Sequence, residues 1–253
     1  MDNLKIEKMR RAGSILGEVL SEVVKQVSPG MTELDVDKLA EELILKKGGF
    51  PGFKKVPGYK HAICISVNDV VVHGIPTKRI FKAGDIVGVD CGVFLGGYHT
   101  DMAETIVVGG KTDPKIEKFL KAGKRAVFEA IKVALPGNRV GNLSEKMQTT
   151  IESGGGSVVR SLVGHGVGKR LHEPPEIPGY LNGPINKTPA LHVGQTLAIE
   201  IIYNMGSAEV VYSGEDDWTI VTEDGSLSGL FERTIAITES GPELLTRLTG
   251  DSL

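Results

Sequence analysis

Asp90 and Asp101 sit at the centres of two apolar strands joined by a glycine turn in the stretch GVDCGVFLGGYHTDMAET. Apolar runs flanking a glycine turn read as a β-hairpin. A turn centred on Leu95-Gly96 sets the two aspartates directly opposite each other, with β-carbons about 5 Å apart, where like charges destabilise the pair. No Lys or Arg lies within either segment. Two unpaired carboxylates in a half-buried sheet cost several kcal/mol, or one takes up a proton. A divalent cation removes the conflict, because a carboxylate can bridge two ions about 3.5–4 Å apart. The alternative is a longer turn, a different register and one solvated aspartate.

The second half of the chain offers more donors of the same kind. Glu200 interrupts the run LAIEII, where a charge is rare unless paired or metal-bound. Glu232 lies in FERTI; Arg233 is an available partner, but adjacent strand residues point to opposite faces. His165 stands between glycines in GHGVG, which suits an imidazole held in a closely approached loop, although a lone histidine is more often structural. Two Asp, two Glu and one His make a hard donor set without thiolate. Such a set favours Mn, Fe(II), Co or Zn at a catalytic centre over a closed structural zinc site.

These donors need a scaffold that brings distant segments together. Ile6, Met9, Ala12, Ile15, Leu16, Leu20 and Val23 recur at helical spacing and predict a first helix ending near Ser28-Pro29-Gly30. Thr32 is a predicted N-cap for a second helix reaching about Lys47. Strands follow between 62 and 108. The order then repeats: KIEKFLKAGKRAVFEAIKVALPG, ending at Pro136-Gly137, then NLSEKMQTTIESGGG, then strands from 157 to 238. Pro29-Gly30 and Gly48-Gly49 match Pro136-Gly137 and Gly155-Gly156 at one offset of 107 residues. At that offset Val36, Ala40 and Ile44 meet Leu143, Met147 and Ile151. The expectation is an α+β fold built from a duplicated helix-helix-strands unit, with an antiparallel sheet covered by helices. The whole of 1–253 is expected to form a single domain with pseudo-symmetric halves of about 1–110 and 111–253.

Bulk properties exclude several function classes. With 40% apolar and 24% charged residues, the chain is ordinary for a globular protein. A net charge of −3 implies no polyanion or nucleic-acid partner. The basic run KKGGFPGFKKVPGYKH is broken by glycine and proline and reads as a solvated loop. Two cysteines, Cys64 and Cys91, argue against a disulfide framework and fit a reducing cytoplasm. No signal-peptide core and no bilayer-length apolar run is evident.

In this order and context, the motifs SVNDVVVHGIP, GDIVGVDCGV, HTD, GHGVGKRLHEPPEIP and DDWTIVTEDGSLSGLFERTIAIT resemble the methionine aminopeptidases of the pita-bread (creatinase/aminopeptidase) fold, over nearly the whole chain. The absence of a long N-terminal extension or large insertion is similar to the type I group. The resemblance implies a dinuclear centre in which Asp90 chelates one ion, His165 and Glu200 bind the other, and Asp101 and Glu232 bridge. It implies that His73 and His172 act beside the metals and that Glu200 is general base. It further implies a methionine pocket of Tyr59, Cys64, His73, Leu171 and Trp218, and a sodium or potassium ion near Asn68, Val70 and Ser228. The implied enzyme is a cytoplasmic monomer with no membrane attachment. It removes N-terminal methionine from nascent chains with a small second residue, with transient ribosome contact. Departures from the usual pattern are Ile201 for proline, Arg233 for histidine and Leu171 for an aromatic residue; Leu171 puts the pocket's preference in doubt. The competing readings are an Xaa-Pro aminopeptidase of the same fold, whose relatives usually carry an extra N-terminal domain, and a metal-free binding protein, which usually loses the ligands.

Overall fold

Residues 3–251 are described by the computed structural model; the outermost two residues at each end of the expected domain lie outside the described residues. Four helices form where the periodicity predicts them: α1 (Asn3–Gln26), α2 (Glu33–Lys46), α3 (Pro114–Lys132) and α4 (Val140–Ser153). Thr32 caps α2 as expected. Its hydroxyl accepts from Asp35 N–H at 3.1 Å while the Asp35 carboxylate accepts from Thr32 N–H at 2.8 Å, satisfying two orphan donors of the first turn. α3 closes at Lys132, short of Pro136-Gly137, where the Val133 and Ala134 N–H groups turn back to the carbonyls of Ala130 and Ile131.

The strands are β1 (Phe50–Pro51), β2 (Ile63–Val67), β3 (Val70–Val72), β4 (Ile86–Leu95), β5 (Tyr98–Val107), β6 (Ser157–Val158), β7 (Val163–Gly166), β8 (Glu173–Pro178), β9 (Thr196–Asn204), β10 (Val210–Tyr212), β11 (Ile220–Thr222), β12 (Ser228–Thr238) and β13 (Gly241–Leu244). One antiparallel sheet runs β1-β4-β5-β12-β9-β7-β8, with β2 on β4, β13 on β12 and β6 on β9. The two halves meet where β5 lies beside β12. A small sheet, β10-β11-β3, joins the halves again.

The duplication is present in the backbone. Gly30 and Gly137 take φ of 95° and 87°, a region open to glycine, and both donate to the carbonyl of an apolar residue ahead of a strand, Phe81 and Leu191. Val36, Ala40, Ile44, Leu143, Met147 and Ile151 are all fully buried. Each stripe packs its helix pair onto its own half of the sheet. α1 and α2 cover Ile63, Ile65, Val87 and Met102, and α3 and α4 cover Leu197, Ile199, Ile201 and Phe231. Each large apolar side chain so buried contributes about 1.5–3 kcal/mol. The helices therefore occupy one face of the sheet.

The hairpin register differs from expectation. Asp90 pairs with Ala103 and Asp101 with Gly92. The turn is Gly96-Gly97, with φ of 60° and 94°. Both values are positive, as a two-residue turn matching strand twist requires. Moving the turn centre by one residue makes the aspartates diagonal rather than directly opposed. Because that changes each partner by two positions, both acids keep the same face.

Candidate metal centre

Sheet alternation decides which side chains share a face. Glu232 on β12 pairs with Glu200 on β9 and Ala103 on β5. Ala103 in turn pairs with Asp90 on β4, and Asp101 lies two residues from it along β5. His165 on β7 pairs with Ala198, two residues before Glu200. All five candidates therefore lie on the face opposite the helices. His165 Nε2 stands 3.9 Å from Asp101 Oδ2 and 3.8 Å from Glu232 Oε1. One donor atom from each of these three lies within 4.8 Å of the others. Asp90 and Glu200 join them in lining one cavity of about 270 Å³.

No Lys or Arg among the described residues lines that cavity. Arg233 follows Glu232 but points to the helix face, where it meets Glu104 at 2.5 Å and Asp251 at 2.7 Å. It therefore does not neutralise the Glu232 carboxylate by direct pairing. Burial pushes the Asp90 carboxyl up to about 7. Asp101 rises well above the ordinary range through burial, then the charges of Asp90 and Glu200. Glu200 rises through burial and Asp90. Glu232 rises through burial, Asp101, Glu200 and Asp90, and Arg233 offsets only a small part. Asp90 Oδ1 is buried without a hydrogen-bond partner. An orphaned oxygen in a cluster of carboxylates without an adjacent cation is the pattern that a divalent ion resolves.

His165 completes the donor set in the right form. Its Nδ1–H donates to the Gly166 carbonyl at 2.9 Å, which leaves Nε2 as the acceptor toward Asp101 and Glu232. Burial, then the nearby His172, lowers its pKa to about 4, so the imidazole is neutral at pH 7 and its approaches to the acids are not ion pairs. Hard oxygens and one neutral imidazole suit a divalent metal ion.

His172 packs edge-on to His165, with ring centroids 4.4 Å apart. Burial lowers its pKa, and burial followed by His172 lowers that of His73. His73 has φ of 56°, a strained region for a non-glycine residue, and such strain clusters at functional sites. It follows β3, which the small sheet holds through pairing of Val72 with Ile220.

Every candidate pocket residue, Tyr59, Cys64, His73, Leu171 and Trp218, lines the same cavity. Tyr59 and Trp218 meet edge-to-face at 5.2 Å, and the Tyr59 hydroxyl donates to the Ile63 carbonyl. Phe53, Val56, Val72 and Ile202 also line it and were not singled out from the sequence. Phe53 and Val56 correct the reading of the basic run as a solvated loop. The run folds into a short helical turn, Gly52–Lys55, that buries Phe53. Among its lysines, Lys54 pairs with Glu41 and Lys55 lies over the Phe94 ring. Ile201 and Arg233, two of the unusual substitutions, point away from the cavity, whereas Leu171 faces it. Asn68 and Ser228 are brought together by a 2.8 Å bond from Ser228 N–H to the Asn68 carbonyl, and β3 begins at Val70. A larger groove of about 1130 Å³ shares Val163, His165 and His172 with the cavity.

Comparison with known proteins agrees with this geometry. Residues 7–239 match metallopeptidase family M24. The methionine aminopeptidase of Clostridium perfringens is 44% identical over 242 residues, covering 96% of each chain. Methionine aminopeptidase 1 of Bacillus subtilis is 45% identical over 240 residues, covering 95% of each. The crystal structure of methionine aminopeptidase from Thermotoga maritima superposes with a TM-score of 0.93 at 45% identity, covering 98% of both chains. Prolidase from Pyrococcus furiosus, at 23% identity and a TM-score of 0.76, shares the fold; the match covers 97% of this chain and 64% of the prolidase.

Proposed function

The chain belongs to metallopeptidase family M24, and from that premise we propose that it removes the N-terminal methionine from peptides and nascent proteins with a small second residue. The observation that carries this reading is one cavity lined both by the acid-and-imidazole cluster and by the aromatic and apolar side chains packed around Phe53, Tyr59 and Leu171. Asp90, Asp101, His165, Glu200 and Glu232 would hold two divalent ions, of cobalt, manganese, iron(II) or zinc. When bound, these ions supply a water deprotonated near neutral pH and polarise the scissile carbonyl.

The remaining chemistry belongs to the chain's own side chains. Glu200 lines the same cavity as the other four and is placed to take the proton of the attacking water. His172 is neutral and can donate a hydrogen bond to the developing oxyanion, a preorganised stabilisation that is often the largest catalytic contribution. His73, held by its strained backbone, contacts the scissile nitrogen and assists departure of the amine. The free α-amino group of the substrate would lie beside this cluster, so a chain terminus is preferred over an internal bond. Phe53, Tyr59, Cys64, Leu171 and Trp218 enclose the methionine side chain, whose burial contributes roughly 1.5–3 kcal/mol. The larger groove carries the peptide beyond the cut.

A sodium or potassium ion near Asn68, Val70 and Ser228 is part of the same proposal. So is a cytoplasmic monomer that meets nascent chains through brief contact with the ribosome. No helix among the described residues is long and apolar enough to cross a membrane.

Incubation of the manganese- or cobalt-loaded protein with Met-Gly and Xaa-Pro peptides tests the activity. Release of free methionine from the first alone is expected. Cleavage of the Xaa-Pro peptide alone would transfer the chain to the other activity of its fold.

A further inference from the structure

The seam between the halves has an unusual construction beside the metal centre. β5 and β12 hold Cα register only at Glu232–Ala103 and Arg233–Met102. Extending that register faces Thr234 with Asp101 on one side and Leu230 with Thr105 on the other. At these two positions a hydroxyl stands where a backbone partner would be. Asp101 N–H donates to Thr234 Oγ1 at 2.9 Å, and Thr234 Oγ1 donates to the Asp101 carbonyl at 2.7 Å. Thr105 Oγ1 makes the mirror pair with Leu230, at 2.6 and 3.0 Å.

The cause at Thr234 is the segment that follows β13. Thr234 N–H donates to Thr246 Oγ1 at 2.9 Å, and the Thr234 carbonyl accepts from Leu245 N–H at 2.9 Å. The segment after β13 thus takes the backbone groups that β5 would have used. Asp101 would be left with an unpaired N–H and C=O in a buried setting, because Thr234 is fully buried and Asp101 is 4% exposed.

We propose that Thr234 is a positioning residue of the metal centre: its hydroxyl replaces the missing backbone partner of Asp101 and fixes the spacing between Asp101 on β5 and Glu232 on β12. The proposal rests on the reading that these two acids hold metal. Groups that orient a metal ligand control its affinity, so a seam that loosens at Asp101 is felt as weaker metal binding. Thr105 lies at the far end of the seam, opposite Leu230, and stabilises the junction without addressing a ligand.

The test compares wild type, Thr234→Val, Thr234→Ser, Thr234→Ala and Thr105→Val. Mn²⁺ binding is measured by calorimetry on the metal-stripped full chain, together with amide exchange at Asp101. Thr234→Val should weaken Mn²⁺ binding at least tenfold and speed exchange at Asp101, while Thr234→Ser stays within threefold of wild type. Thr105→Val should lower Tm yet keep Mn²⁺ binding within threefold. If Thr234→Val does not fold, Thr234→Ala removes the same hydroxyl with less bulk and must give the same loss. Wild-type affinity in a folded variant lacking the hydroxyl would overturn the proposal alone, as would failure of the serine variant to rescue. A wild-type chain that binds no Mn²⁺ would overturn the metal reading and this proposal with it.

Discussion

Glu232 and Arg233 are adjacent in sequence and serve opposite faces of β12. Strand alternation turns Glu232 into the acid cluster and Arg233 beneath α3, where Lys124 also meets Glu104 and Asp251. The same alternation separates Asp101 from Met102 and Glu200 from Ile201. His172 is placed differently. It packs on His165 without belonging to the close donor set of Asp101, His165 and Glu232. Substitution of His172 by alanine should lower kcat by roughly 10²–10³ if it stabilises the oxyanion. Metal content, read by atomic absorption on the same sample, should be unchanged. Loss of metal together with activity would make His172 a ligand instead.

The elements explain which features were legible in the sequence. Both helix pairs were, because Val36, Ala40, Ile44 and their partners at the 107-residue offset form the buried stripes, and a 3.6-residue period survives loop variation. The hairpin was legible as a hairpin but not in register. Consecutive glycines permit a turn centred one residue either way, and the strand ladder decides between them. A direct consequence is that Gly97→Val, at φ of 94°, should destabilise the chain by about 1–2 kcal/mol, read from chemical denaturation, because a branched residue resists that conformation. An unchanged midpoint would mean that the turn rearranges. Phe53 was not legible, because no periodicity marks one aromatic residue within a Lys/Gly/Pro-rich run. Its burial comes from contact with Tyr59 and Leu171, which are distant in sequence or separated by loop. The Thr234 bridge was equally hidden, since it depends on where the segment after β13 inserts.

On the scale of the whole molecule, the halves contribute donors asymmetrically. Asp90 and Glu200 occupy similar places, each six residues after the positive-φ glycines Gly84 and Gly194, whereas His165 comes from the second half alone. The loop between β9 and β12 contributes β10 and β11, which join β3 and bring Trp218 to the cavity. Crowding four acids together also links stability to pH. Asp90 has a folded pKa of about 7, above its ordinary 3.8, so the folded state binds more protons than the unfolded and stability falls as pH rises between those values. His165, depressed to about 4 from 6.5, acts in the opposite sense, losing stability as pH falls below 6.5. Above pH 6.5 the carboxylates therefore dominate. The metal-stripped chain should have a lower Tm at pH 8 than at pH 6.5, and Mn²⁺ should raise Tm more at pH 8. A Tm that rises with pH in the stripped protein would mean that the acids are compensated from within the chain.

Within the close group that includes Glu232 and His165, Asp101 is the member that comes from the first half. Equilibrium dialysis against Mn²⁺, paired with free-methionine release from a Met-Gly peptide by wild type and Asp101→Asn, tests the metal assignment most directly. The asparagine chain should fold, lose Mn²⁺ affinity and release no methionine, since a neutral amide is a weaker ligand for a hard cation than a carboxylate and does not balance its charge. Near-normal turnover by that variant at saturating Mn²⁺ would contradict that assignment.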